Sequence, residues 1–140
     1  MKLSIEQAKQ LIENKIRRTG YNIIYKNDAV SGMVSTITYN CYIPIIKSRT
    51  SLYTACHELF HCLRARTTEV YINEMRAEKF AHKYMRHLGF TVPRKHTKRS
   101  KWYVRNKLRK AKRRGLKKVD SEVQNFLNWG IIILSRWINV

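Results

Sequence analysis

The chain has few acidic side chains. Its 140 residues include 9 Asp and Glu against 29 Lys and Arg, which gives a formal net charge of +20. A field of this size repels cationic partners and attracts polyanions and acidic surfaces, although it says nothing directly about the fold. The length suits one domain with one core and an appended tail.

Cysteine is scarce as well. Cys41, Cys56 and Cys62 form no CxxC pair, and any single disulfide would leave one odd thiol. This excludes a zinc module built on CxxC pairs and favours a reducing, intracellular setting. Cys56 and Cys62 fall on other helix faces than the polar stripe described below, so we expect them to be small buried hydrophobes.

Long apolar segments are absent too. Residues 1–18 contain no uninterrupted apolar stretch of the kind that forms an export signal, so we expect a cytoplasmic protein. Residues 120–140 are predicted to form a helix that begins at Asp120 or Ser121, and polar residues interrupt it too often for a transmembrane span. We expect this helix to pack on the core; it could instead lie on an anionic membrane or mediate self-association.

The most informative feature that is present is the HExxH motif of residues 57–61. On a helix, His57 and His61 project from one face one turn apart, so both imidazoles can reach one zinc ion while Glu58 stands beside a metal-bound water. Apolar residues cover most of the remaining circumference between Leu52 and Leu63, which predicts a helix buried on nearly all sides. Thr54, His57, Glu58 and His61 form a polar stripe on this helix. Burying the stripe is costly unless its members are paired, hydrogen-bonded or bound to metal. The alternative is that they are satisfied polar residues with no metal role.

A second helical pattern follows the motif. Glu74, Ala77, Glu78, Ala81 and Met85 fall on one side of it, and the two alanines permit close approach of another helix. Glu74 could supply a third zinc ligand and leave the fourth position to water or substrate. Glu78 is placed to accept the free ring N–H of a liganding histidine. Both glutamates could equally be solvated side chains of an amphipathic helix.

These two segments, TACHELFH at residues 54–61 and EMRAEKFA at residues 74–81, resemble the ImmA/IrrE-type zinc metallopeptidases. In that gluzincin-like family an HExxH helix is followed by a helix patterned Glu-x-x-Ala-Asn/Asp-x-Phe-Ala. The resemblance covers roughly residues 1–90 and implies Zn²⁺, with His57, His61 and Glu74 as ligands and Glu58 as general base. Three departures stand out: Glu78 replaces the usual Asn or Asp, only twelve residues separate His61 from Glu74, and the usual leucine-rich, proline-ended close of the second helix is HKYMR here, at residues 82–86.

The resemblance also implies an activity. Members of this family typically cleave a repressor in phages and mobile elements, so the expected substrate is a cytoplasmic protein, in the host cytoplasm if a phage encodes the enzyme. Glu58 would take a proton from the attacking water and pass it to the leaving amine. Candidates for a donor that stabilises the tetrahedral oxyanion are Tyr71, His82, Tyr84 and His87, and His82 lies nearest the Glu74 face by helical angle.

The fold class predicted for residues 1–92 is α+β, with a minimal zincin-like core. Residues 4–18 have helical spacing behind Ser4 as N-cap, with Gln7 three positions on. Residues 21–25 and 35–46 are rich in Ile, Thr, Tyr and Val and are separated by turn residues, which predicts the strand pair of a small antiparallel sheet. An N-terminal helix, this sheet, the HExxH helix and the Glu-bearing helix would then form the core, with an edge strand able to pair with an extended substrate.

Residues 93–140 are predicted to form a basic helical C-terminal extension that packs on the core, with Pro93 at the boundary. Between Arg94 and Lys118, 14 of 25 residues are Lys or Arg and none is acidic. Cations neutralise phosphates and exposed aromatic rings stack on unpaired bases, which makes this run a candidate contact for nucleic acid or for an acidic protein. The candidate residues are Lys98, Arg99, Lys101, Trp102, Arg105, Lys107, Arg109, Lys110, Lys112, Arg113 and Arg114. The alternative is a solvated basic helix whose apolar residues dock on the core.

Two other classes of function stay open. SprT-like proteases act at nucleic acid and also carry HExxH, but they usually have a third histidine ligand and often a CxxC zinc module, which this chain lacks. The chain could also be a non-catalytic module that binds nucleic acid or protein on a zincin scaffold. The joint presence of His57, Glu58, His61 and Glu74 argues against a scaffold without catalysis.

Overall fold

The computed structural model describes residues 2–64, 69–92 and 94–128, and within these ranges the chain forms five α-helices and three β-strands. The α+β class is therefore confirmed. Pro93 and residues 129–140, most of the last predicted helix, lie outside the described residues. The elements are α1 (Ile5–Arg18), β1 (Asn22–Lys26), β2 (Met33–Ser35), β3 (Asn40–Pro44), α2 (Arg49–Leu63), α3 (Val70–His87), α4 (Arg94–Arg113) and α5 (Ser121–Asn128).

Helix α1 begins as predicted, at a capping box. The backbone N–H of Gln7 donates to Ser4 Oγ at 3.1 Å, and the backbone N–H of Ser4 donates to Gln7 Oε1 at 2.9 Å. The two bonds satisfy backbone donors that a helix start leaves free. Ala8, Ile12 and Ile16 then recur at helical spacing and are fully buried in the main core.

The sheet is mixed, so the prediction of an antiparallel strand pair is wrong. Strand β3 lies in the centre, parallel to β1 and antiparallel to β2. The predicted strand 35–46 is interrupted by a turn, in which Ser35 Oγ accepts from Thr38 N at 3.2 Å and Tyr39 has the left-handed φ of 56°. Glycine is the usual residue in this conformation. Because Tyr39 adopts it here, the sequence does not reveal the turn.

Helices α2 and α3 pack closely and form the frame of the site. Every residue of α2 from Ser51 to Phe60 is buried, as its apolar circumference predicts. The approach of α3 relies on small residues, since Ala55 of α2 and Ala77 and Ala81 of α3 are fully buried. Of the two cysteines of α2, Cys56 is buried as expected and Cys62 is half-buried.

Helix α4 lies against α3 through a second apolar cluster. Val104 and Leu108 of α4 are buried there with Tyr71, Ile72 and Met75 of α3, and α5 adds Val123 and Phe126. The opposite side of α4 faces solvent, where the indole of Trp102 is 60% exposed. Among the described residues, no helix is both long and apolar enough to cross a membrane.

Candidate metal centre

The two histidines of the HExxH motif face α3 from one side of α2. Their Nε2 atoms are 3.3 Å apart, and the rings meet edge to face with centroids 5.0 Å apart. His57 is buried and His61 is half-buried. Because His57 and His61 are one helical turn apart, their side chains lie on the same face of α2, and both ring nitrogens are close enough to bind one metal ion.

The carboxylate group of Glu74, on α3, completes a triangle with the two ring nitrogens. Its Oε2 lies 3.0 Å from His57 Nε2, and its Oε1 lies 3.4 Å from His61 Nε2. Ligand atoms of a tetrahedral zinc ion, bound at about 2.0–2.1 Å, are separated from one another by about 3.4 Å. The Glu74 carboxylate contacts the two ring nitrogens at close to this spacing, through a different oxygen for each, so the short span from His61 to Glu74 does not keep the carboxylate from the rings.

Glu58 lies beside this triangle. A carboxylate oxygen of Glu58 and one ring nitrogen each of His57 and His61 lie within 4.8 Å of one another, so these three residues are an alternative metal-binding group. Glu74 makes the closer contacts with both rings, which leaves Glu58 for another role. Burial raises the pKa of Glu58, although charge on the two histidines opposes the rise. A raised pKa suits a group that must accept a proton near neutral pH.

The loop between β1 and β2 covers Glu58. A Cβ atom built on Gly32 would lie 2.6 Å from Glu58 Cγ and 2.7 Å from its Oε2, so any other residue there would force the Glu58 side chain to move. Asp28 Oδ1 shapes this loop by accepting from the backbone N–H of Ser31 at 2.6 Å, and Thr54 of α2 donates its hydroxyl to the Ala29 carbonyl at 2.9 Å. The composition of the loop predicts a turn, but not this close contact.

Glu78 fixes the orientation of the His57 ring. Its Oε2 accepts from His57 Nδ1 at 2.5 Å, which leaves Nε2 turned toward His61 and Glu74. Burial alone would lower the pKa of His57, but the carboxylates of Glu78 and Glu74 outweigh it and hold the pKa well above its ordinary value. In the same way, the His57 charge overcomes burial and lowers the pKa of Glu78.

Tyr103 of α4 reaches the triangle although it is not among the predicted site residues. Its hydroxyl donates to Glu74 Oε2 at 3.1 Å, and its ring stands edge-on to the His57 ring with centroids 6.0 Å apart. The signal for it is present in the sequence. His96, Ser100 and Tyr103 recur at helical spacing on the side of α4 that turns away from solvent, within a run otherwise dominated by its charge.

The four predicted oxyanion donors lie elsewhere. Within the described part of the chain, none of them lines the cleft over His57 and Glu58. The Tyr71 hydroxyl accepts from the backbone N–H of Asp120 at 3.2 Å, His82 is fully buried, and Tyr84 stacks on Phe80 and contacts His87.

A buried polar cluster ties α4 to the back of the site. Ser100 is its centre: its Oγ lies 2.8 Å from the Tyr53 hydroxyl and 3.0 Å from His82 Nε2. His96 stacks on the Tyr53 ring at 4.7 Å. Burial lowers the pKa of both histidines to about 4, so both are neutral near pH 7.

A cleft of about 390 Å³ opens over His57, Glu58 and Glu78, whereas His61 and Glu74 do not line it. One wall is formed by residues 30–33 of the loop and β2, and the other by His96, Arg99 and Tyr103 of α4. Helix α4 therefore contributes a wall of the cleft as well as a hydrogen bond to Glu74. Of the ten basic candidates, Lys101 and Lys107 are half-buried and the other eight are exposed.

No known protein family, no curated protein and no solved structure matches the chain. The resemblance of residues 54–61 and 74–81 to a peptidase family therefore stays a prediction. What can be said about function comes from the distances and burial of the side chains in this site.

Proposed function

We propose that this protein is a zinc-dependent endopeptidase that hydrolyses a peptide bond in a cytoplasmic protein. One observation carries the proposal: His57 Nε2, His61 Nε2 and the Glu74 carboxylate form a triangle with edges of 3.0–3.4 Å. Two imidazoles and one carboxylate are a frequent ligand set of catalytic zinc in proteins, and three protein ligands leave a position for water or substrate.

Each residue of the site has a task in this reaction. A bound zinc ion supplies Lewis-acid polarisation of the scissile carbonyl and acidifies the attacking water. Glu58 accepts the proton of that water and delivers it to the leaving amine, a role supported by its burial and its raised pKa. Glu78 holds His57 in the tautomer that presents Nε2, and Gly32 leaves room for the Glu58 side chain.

The proposed substrate is a protein segment in extended form, and a repressor of a phage or mobile element is our specific candidate. The cleft is open and walled by β2 on one side, which suits a chain rather than a compact small molecule. The repressor rests on the resemblance of the two helical segments to the ImmA/IrrE-type peptidases. A host cytoplasm is the corresponding location.

The test is cleavage by purified zinc-loaded protein. The wild type, Glu58→Gln and the matched control Glu6→Gln, which changes an exposed carboxylate of α1, are each incubated with a peptide library. Mass spectrometry should find new amino termini with the wild type and the control, and none with Glu58→Gln. Equal cleavage by all three proteins would point to a contaminant and contradict the proposal. Co-expression with neighbouring genes of the native locus then identifies the natural substrate.

A second function is a protease that acts at nucleic acid. It is favoured by α4, which places Tyr103 at the Glu74 carboxylate and also carries most of the exposed basic candidates. Cleavage stimulated by nucleic acid would support this function over a freely diffusing peptidase. A chain that binds zinc and nucleic acid but cleaves nothing would be a non-catalytic module.

A further inference from the structure

Helix α4 has two faces of opposite character. His96, Ser100, Val104 and Leu108 are spaced four residues apart and are buried against the rest of the protein. On the opposite side, a row of exposed residues runs along the helix, and we call this row the basic stripe. It consists of Lys98, Trp102, Arg105, Arg109 and Lys112.

The charge of the basic stripe is not neutralised. Helix α4 contains no acidic residue, and within residues 2–64, 69–92 and 94–128 no carboxylate forms an ion pair with Lys98, Arg105, Arg109 or Lys112. The stripe extends for about 21 Å, at a rise of about 1.5 Å per residue. Four cations in a row of this length match a chain of phosphates better than a single small anion.

Trp102 lies within this row and is 60% exposed. An indole flanked by Lys98 and Arg105 on the helix surface offers a flat apolar face between positive charges. This combination of stacking ring and cations is how proteins hold unpaired bases and their backbone. A duplex keeps its bases stacked inside, and an acidic protein surface satisfies the charges without using the ring.

We propose that the basic stripe binds single-stranded nucleic acid, with its cations on phosphates and Trp102 stacked on a base. The stripe adjoins Arg99, which lines the cleft over His57 and Glu58, so a bound strand passes close to the cleft. If the proposed peptidase function holds, a protein on the same strand is thereby held near Glu58. The binding itself does not depend on catalysis.

The test measures binding of a fluorescent 20-nucleotide oligothymidylate to Glu58→Gln protein by anisotropy, which separates this proposal from the peptidase proposal. One variant carries Lys98→Gln, Arg109→Gln and Lys112→Gln. A control loses the same charge elsewhere through Lys2→Gln, Arg18→Gln and Lys47→Gln, all at exposed sites. The stripe variant should lose tenfold or more in affinity relative to the control. The slope of log affinity against log salt should become shallower by about 2, since each single-strand phosphate contact contributes about 0.7.

Trp102→Ala tests the stacking contact alone. It should weaken binding by about tenfold with little change in the salt slope, and Trp102→Phe should recover part of the loss. Equal losses in the stripe variant and its charge control would overturn the proposal, because binding would then follow net charge only. Tighter binding of a duplex, or displacement of the strand by polyglutamate at lower concentration than by unlabelled oligothymidylate, would also overturn it. Circular dichroism checks that each variant is folded.

Discussion

Glu78 Oε2 accepts a hydrogen bond of 2.5 Å from His57 Nδ1, and this bond determines which ring nitrogen the proposed zinc ion would meet. Both residues are buried, so the imidazole cannot rotate into solvent. A carboxylate in this position also makes the opposite nitrogen a better electron donor. Two glutamates of α3 contact His57: Glu74 contacts Nε2, and Glu78 contacts Nδ1.

Replacing Glu78 should therefore weaken zinc binding without removing a ligand. We expect Glu78→Gln to lower zinc affinity by about 10- to 100-fold, as loss of such a partner usually does. Competition with a chromophoric chelator measures the change, and Glu6→Gln serves as control for removal of a carboxylate. Unchanged affinity in Glu78→Gln would mean that the contact with His57 has no role in the metal site.

Gly32→Ala should displace the Glu58 side chain, because the new methyl group would lie 2.6 Å from Glu58 Cγ. We expect a loss of about 1–3 kcal/mol in the free energy of unfolding, together with loss of cleavage and retention of zinc. The double-mutant cycle with Glu58→Ala is decisive, since Glu58→Ala removes the atoms that clash. Gly32→Ala should cost clearly less in that background, and an equal cost in both backgrounds would contradict the contact.

Tyr103→Phe removes the hydroxyl that donates to Glu74 Oε2 at 3.1 Å. A hydrogen bond to a charged acceptor contributes about 1.5–3 kcal/mol, and we expect a loss of this size in chemical unfolding of the metal-free protein. Tyr42→Phe is the matched control, because the Tyr42 hydroxyl makes no hydrogen bond among the described residues. Equal stability of the two variants would show that α4 is not tied to the site through Tyr103.

Parts of the fold and of the site can be predicted from local sequence patterns. Ser4 and Gln7 predict the start of α1, and the spacing of His57, His61 and Glu74 predicts which faces of α2 and α3 meet. The pairing of the sheet does not follow, because the turn at Tyr39 carries no glycine and the parallel contact of β1 with β3 joins segments distant in sequence.

The contribution of α4 could not be predicted for a similar reason. Tyr103 lies 29 residues from Glu74, within a segment that is dominated by Lys and Arg. The charge of the segment predicts its solvent face, whereas the part of the buried face that lies near the site consists of polar residues such as His96 and Ser100. Its contact with the site depends on how α4 packs against α3, which no local pattern determines.

The buried histidines should make stability fall at acidic pH. Burial lowers the pKa of His96 to about 4, helped by Lys95 and Arg99 and opposed by Glu78. The unfolded chain binds the proton at about 6.5, so the contribution of His96 to the free energy of unfolding should decrease as pH falls from about 6.5 to about 4 and stay level above that range. His96→Phe keeps the stack on Tyr53 and should decrease less over this window. Parallel curves for wild type and variant, both treated with chelator, would contradict the assignment.

Zinc titration of metal-free protein tests the proposed metal centre most directly, because it distinguishes the two glutamates near the histidines. We expect about one zinc ion per chain, with binding retained in Glu58→Gln and lost or strongly weakened in Glu74→Gln and His57→Ala. Absence of zinc binding in the wild type would contradict the proposal. So would the opposite order, with zinc lost in Glu58→Gln and retained in Glu74→Gln.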